Sequence, residues 1–241
     1  MIISLQKLWK LILLFFLVVI IGHIIGVYIG MNTIPGLDKP QNLFLDLFYF
    51  NSEKNITALF SSYLFIIIGL FFHVLSSDYS EQKKGWCWLR NIAIYLACDE
   101  WFAIHDSVLN VYGLGPLEIP YWVWVYAVLC CFILVRLIPF IRYIPERLLR
   151  FLIIGAAVFI GGAALMEVVT YQSQHFFSLF FQIGLFFEDG LEMSGLLIAL
   201  YGLISYFNLQ NLTRIRFPKL FCYSVLAIGL VDFAVSFYIY R

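Results

Sequence analysis

Seven stretches of this chain, residues 8–31, 57–75, 87–110, 121–138, 149–171, 177–207 and 220–239, are apolar. Each is close to the ~20 residues that a helix needs to cross a bilayer. In hydrocarbon every backbone N–H and C=O must be satisfied within the protein, so runs of this length fold as helices. They predict an all-α polytopic membrane helix bundle of seven transmembrane helices, forming a single integral membrane domain over residues 1–241. Composition agrees: 63% of residues are hydrophobic and 12% charged, against ~25% charged in a soluble domain. The sixth run is long enough to tilt or protrude.

The first run follows Lys7 and Lys10. It exceeds the ~7–15 residues of a signal-peptide core, and Ile29-Gly30-Met31-Asn32 is no small-residue cleavage site. It reads as an uncleaved span. Pro35, Gly36 and Pro40 then break the chain. The stretch 43–50 is too short to span and reads as an interfacial or re-entrant piece.

Basic residues orient the bundle. Lys7, Lys10, Lys83, Lys84, Arg90, Arg136, Arg142, Arg147, Arg150, Arg214, Arg216 and Lys219 fall on one side of the alternation, and Lys39, Lys54 and Arg241 on the other. The positive-inside rule puts the N-terminus in the cytoplasm and the C-terminus outside. The net charge is zero and no basic run occurs, so nucleic acid is not an expected partner. The lipid bilayer is the partner, with a lipid or small-molecule ligand entering from the outer face.

Against this background the third run is anomalous. Asp99, Glu100, His105 and Asp106 lie within eight residues. A charge near the bilayer centre costs at least ~2.5–3.5 kcal/mol. Glu167 follows in the fifth run, Glu188, Asp189 and Glu192 in the sixth, and Asp232 in the seventh. The orientation puts the first three groups at overlapping depth in the outer half of the bundle. On an uninterrupted helix Asp99 and Asp106 share a face, with Glu100 and His105 flanking it. Glu188 and Glu192 stack at i,i+4. Thr170 and Tyr171 lie one turn from Glu167, and His175 stands near the outer mouth.

The predicted span interiors hold eight acids and essentially no Lys or Arg. Such carboxylates must be protonated, hydrated in a cavity, or neutralised by a cation. Acids with an imidazole suit a divalent transition metal, Zn²⁺, Mn²⁺ or iron. The metal-ligand set is then His105, Asp99, Asp106, Glu167, Glu188 and Glu192, with Glu100, Asp189, Tyr171, His175 and Asp232 as accessory groups. Three function classes stay open: a metal-binding protein, with a metal-dependent enzyme on a lipid or other membrane-embedded substrate as its sharper form; a proton- or cation-translocating protein; and an accessory subunit whose acids form a structural network. No Glu-x-x-His pair or His-Glu-x-x-His motif occurs.

The remaining signals concern packing. Ala157, Gly161, Gly162, Ala163 and Ala164, with Gly184, Gly190 and Gly195, offer smooth faces for close helix contact. Tyr121, Trp122, Trp124 and Tyr126 read as an outer aromatic belt. Asn51, Glu53, Asn55, Thr57, Ser61 and Ser62 read as a polar lip, and His23 and His73 as packing or interfacial residues. Cys87, Cys98, Cys130, Cys131 and Cys222 read as buried small hydrophobes, with no metal or disulfide spacing.

The stretches Asp99-Glu100 with Ile104-His105-Asp106, Gly162-Ala163-Ala164-Leu165-Met166-Glu167, and Glu188-Asp189-Gly190-Leu191-Glu192-Met193 carry a resemblance. So does Phe50-Asn51-Ser52-Glu53-Lys54-Asn55-Ile56. The chain resembles, over about Phe50 to Gly202, an uncharacterised family of bacterial multi-pass membrane proteins with similar acid and histidine motifs. Asp106 and Asp189 stand where that family carries the longer Glu. The resemblance implies a bacterial inner membrane location and no activity.

Overall fold

The structure, a computed structural model, describes residues 2–32, 47–48, 55–78, 82–105, 119–166, 179–212 and 214–216. Among them are six long helices: α1 (Leu5–Asn32), α2 (Ile56–Asp78), α3 (Lys83–Phe102), α4 (Tyr121–Ile141), α5 (Glu146–Ile160) and α6 (Leu179–Leu209). Five apolar spans, on all of these helices but α3, are long enough to cross a membrane, the one on α5 continuing to Ala164. The third expected span, 87–110, falls on α3, which Lys83, Lys84, Arg90, Asp99 and Glu100 make the most polar of the six and which is not among those five. The seventh expected span and nearly all of the short piece at 43–50 lie outside the described residues.

The chain divides into two compact units, residues Met1–Tyr49 with Ile204–Arg241, and Phe50–Leu203. In the first unit β1 (Ile2–Ser4) pairs antiparallel with β2 (Arg214–Arg216), Ile3 opposite Ile215. This short ladder was not legible as apolar patterning. Ser4 then opens α1 by accepting the Lys7 N–H on its hydroxyl at 3.2 Å, the usual role of serine at a helix start. His23 is buried and Gly22 is in direct contact with the Phe48 ring.

The second unit is a set of antiparallel helices. Asn55 caps α2, its side-chain oxygen accepting the Ala58 N–H at 2.8 Å. Pro120 and Pro145 precede α4 and α5, where a fixed φ and a missing N–H are tolerated. Pro139 falls in the last turn of α4. At one end of the unit Trp86 stacks with Phe72 of α2 at 6.0 Å and meets Phe140 of α4 edge-on at 4.9 Å. Leu64, Phe71, Leu75, Leu148, Met193, Leu200 and Leu203 are the deepest core residues. Burying a side chain of this size is worth about 1.5–3 kcal/mol where water is the alternative. In lipid close packing replaces that term.

Glycine contacts bring α5 onto α6. A methyl group on Gly155 would lie 2.6 Å from the Gly195 carbonyl oxygen, and one on Gly195 would lie 2.5 Å from the Phe159 amide nitrogen. Gly161 and Gly190, in the same runs, have nothing within 4 Å of that position among the described residues. The contact face is therefore Gly155, Gly162 and Gly195, and the expected roles of Gly161 and Gly190 are corrected. After Ile160 the helix widens into a π-helical stretch, Gly161–Met166. Such stretches recur at functional sites.

Much of the exposed face of α4 is apolar. Val128, Leu134, Val135 and Ile138 of α4 are exposed, as lipid contact requires. The four described cysteines are free, with Cys98 and Cys131 exposed and Cys87 and Cys130 half-buried. That corrects the expectation of buried cysteines: they lie on outer faces that lipid solvates as readily as the core would.

Candidate functional site

Helix α3 does not continue through the acidic stretch. It ends at Phe102, and Ala103 takes the left-handed conformation at φ 47° and ψ 50°, its N–H bonded to the Asp99 carbonyl. A non-glycine residue there costs roughly 1–2 kcal/mol, and strain of this kind collects at functional sites. The turn brings the chain back on itself. On a continuous helix His105 would stand about 9 Å further along the axis than Asp99, rotated well away from it. Instead both groups meet. The His105 backbone N–H donates to Asp99 Oδ1 at 3.1 Å, and His105 Nδ1 lies 3.1 Å from Asp99 Oδ2. The Asp99 carboxylate is 4% exposed as a residue, and the imidazole 23% exposed. The expected shared face of Asp99 and Asp106 on one helix is thereby corrected. Asp106 itself lies outside the described residues.

An aromatic wall closes the pair. Trp122 sits 5.1 Å from the His105 ring and Tyr126 6.5 Å, ring centre to ring centre. The Tyr126 hydroxyl bonds the Tyr95 hydroxyl at 3.0 Å and interacts electrostatically with Asp99. Two hydrogen-bonded pairs, Tyr95 with Tyr126 and Asp99 with His105, thus stand side by side. The aromatic-belt expectation is corrected for two members: Trp122 is only 7% exposed and, with Tyr126, turns onto His105. Tyr121 and Trp124 do stay outward. The signal was present in the spacing, since Trp122 and Tyr126 are i,i+4, as are Tyr95 and Asp99.

Cross-helix contacts give the level of the other candidates. His73 meets Arg90 and Gly69 faces Ala93, which sets the antiparallel register of α2 and α3. Carried on by one turn, that register puts Phe65 opposite about Ala97. Phe65 packs edge-on against Phe159 of α5 at 5.2 Å. Three residues further along α5, a methyl group on Gly162 would lie 2.7 Å from the Glu188 carbonyl oxygen and 2.9 Å from the Glu192 amide nitrogen. Ser61 and Ser62, Asp99 and Glu100, Gly162, and Glu188 to Glu192 therefore share one level to within about a turn of helix. Glu100, Glu188, Asp189 and Glu192 are half-buried there.

Three further polar groups lie in this layer. Thr57 Oγ1, Ser62 Oγ and Trp122 Nε1 are buried, with no hydrogen-bond partner among the described residues. Of the expected polar lip, Asn55, Thr57, Ser61 and Ser62 are buried, and Asn51 and Glu53 lie outside the described residues. A buried polar group left unpaired costs about 1–3 kcal/mol; Trp86 Nε1, at the other end of the unit, is likewise buried with no partner among the described residues.

Sharing a level is not convergence. Among the described residues no three His, Cys, Asp or Glu side chains form a group that could hold a metal ion. Of the expected ligands, Asp99 and His105 are brought together, and Glu188 and Glu192 stand on α6 against Gly162. Asp106 and Glu167 lie outside the described residues, as do Tyr171, His175 and Asp232.

No curated protein and no solved structure shows a match to this chain. A family model does match, over residues 11–207, which takes in every described element of the site. The chain accordingly belongs to the family described as a domain of unknown function, DUF8692.

Proposed function

We propose that this is an inner-membrane protein whose working centre is the Asp99–His105 pair, acting as a proton acceptor and donor within a polar layer of the bundle. Seven spans, with the N-terminus in the cytoplasm, put that layer in the outer half of the membrane. The observation that carries the reading is the double engagement of Asp99 by His105. With Asp99 ionised, Nδ1–H donates to Oδ2, which sets the tautomer and leaves Nε2 as the nitrogen through which the ring accepts and returns a proton. The bonded Tyr95 and Tyr126 hydroxyls stand beside Asp99 as further groups that can carry a proton. Thr57, Ser62 and Trp122 supply donors and acceptors for the polar part of a lipid or small-molecule substrate.

A second reading rests on the same pair. A metal-bound histidine almost always donates its other ring N–H to a carboxylate. In that reading His105 ligates Zn²⁺, Mn²⁺ or iron with carboxylates drawn from Asp106, Glu167, Glu188 and Glu192, and the metal would activate a water.

Elemental analysis and difference infrared spectroscopy of the same chelator-free preparation separate the two. The proton reading expects an imidazole protonation change as pH crosses neutrality, lost in His105→Gln, and no stoichiometric transition metal. Stoichiometric metal that disappears in His105→Gln would transfer the site to the second reading. Neither signal would leave the pair as a structural bond.

A further inference from the structure

Towards the opposite end of α3, Arg90 carries a charge that no carboxylate among the described residues pairs with. Arg90 follows the helix start at Lys83 by seven residues, about 10 Å along the axis. Among the described residues its guanidinium is held by neutral acceptors. Nε and Nη2 donate to Asn91 Oδ1 at 3.1 and 2.9 Å, and Nη1 meets His73 Nδ1 of α2 at 3.3 Å. Arginine has no acceptor to offer, so His73 Nδ1 takes the hydrogen bond and its ring hydrogen resides on Nε2. No carboxylate among the described residues pairs with Arg90. Two guanidinium N–H groups and the His73 Nε2–H remain as donors on one edge of the α2–α3 pair.

The surroundings match a lipid headgroup. His73, Lys83 and Lys84 are exposed. Trp88 is 46% exposed, and tryptophan favours the headgroup level. Ile94, one turn beyond Arg90 on the same face, is 47% exposed and continues the edge as apolar surface. A free anion would use the donors and leave that apolar strip without a role. A phospholipid uses both, with its chains along Ile94. Basic pockets between membrane helices are established acidic-lipid sites, and a guanidinium fork suits phosphate.

We propose that Arg90 and His73 form a binding site for the phosphate of an anionic phospholipid, with Asn91 orienting the guanidinium. The site is independent of the Asp99–His105 centre.

The test is a binding titration of the purified full-length protein in neutral detergent. The probes are dioleoylphosphatidylglycerol, dioleoylphosphatidylcholine and inorganic phosphate. Wild type should prefer phosphatidylglycerol over phosphatidylcholine by about tenfold or more. Arg90→Gln should bring the ratio near one, whereas the double substitution Lys83→Gln, Lys84→Gln should keep most of it. Should Arg90→Gln not fold, Arg90→Lys serves: it keeps the charge but cannot bridge Asn91 and His73, so the ratio should fall several-fold. A wild-type ratio near one, a ratio unchanged in either Arg90 variant, or equal binding of inorganic phosphate would overturn the proposal.

Discussion

His105 meets Asp99 twice, through its backbone N–H on one carboxylate oxygen and its ring Nδ1 on the other, both at 3.1 Å. A single side chain therefore holds both the turn that ends α3 and the orientation of the imidazole. Local backbone and site chemistry share one residue, which makes their separate contributions measurable.

Asp99→Asn tests that sharing. The amide keeps an oxygen for the His105 N–H but presents NH₂ where the ring needs an acceptor. We expect a loss of about 1–3 kcal/mol, as for a buried bond with one partner spoiled, read by denaturant unfolding in detergent. Asp99→Ala should cost more, because it also frees the turn. Equal, small effects in both variants would show that the pair does not hold the turn.

Ala103→Gly should stabilise the protein. Ala103 sits at φ 47°, where glycine carries no Cβ penalty, so a gain of about 1 kcal/mol is expected. Ala103→Val should destabilise, since branching at Cβ worsens the same clash. The thermal midpoints of the two variants should bracket wild type.

The glycines of α5 and α6 separate into two behaviours. Gly195→Ala would force its methyl within 2.5 Å of the Phe159 backbone, and we expect a loss of about 1–3 kcal/mol or more from the parted helices. Gly190→Ala meets nothing within 4 Å among the described residues. It should be neutral or gain up to about 1 kcal/mol from helix propensity. Similar midpoints for the two variants would argue against the close crossing.

Trp122→Phe removes an indole N–H that has no partner among the described residues, while keeping an aromatic ring against His105. Folding stability should change by less than about 1.5 kcal/mol, as for a modest hydrophobic swap. If the N–H serves a substrate, activity or ligand binding falls while the melting temperature holds, and comparing the two measurements reads this directly.

Apolar run length and the positions of the buried acids were legible in the linear chain, because both are local properties. Twenty apolar residues demand a helix whatever their neighbours are, and α1, α2, α4 and α6 lie within a few residues of the expected limits. Asp99, His105, Glu188 and Glu192 stood out for the same reason: a titratable group in an apolar run is costly wherever it sits. Their pairing was not legible. The helical projection failed at Ala103, because its left-handed turn satisfies the Asp99 carbonyl and carboxylate, and alanine carries no sequence mark of such a turn. Which aromatic residues face His105, and which of two adjacent glycines meets the neighbouring helix, depend on rotation about the helix axis. That rotation is set by packing between helices: Gly162 touches α6 and Gly161 does not. Tertiary structure alone decided that the imidazole belongs to Asp99, because that contact depends on a break in the backbone that no period along the chain encodes.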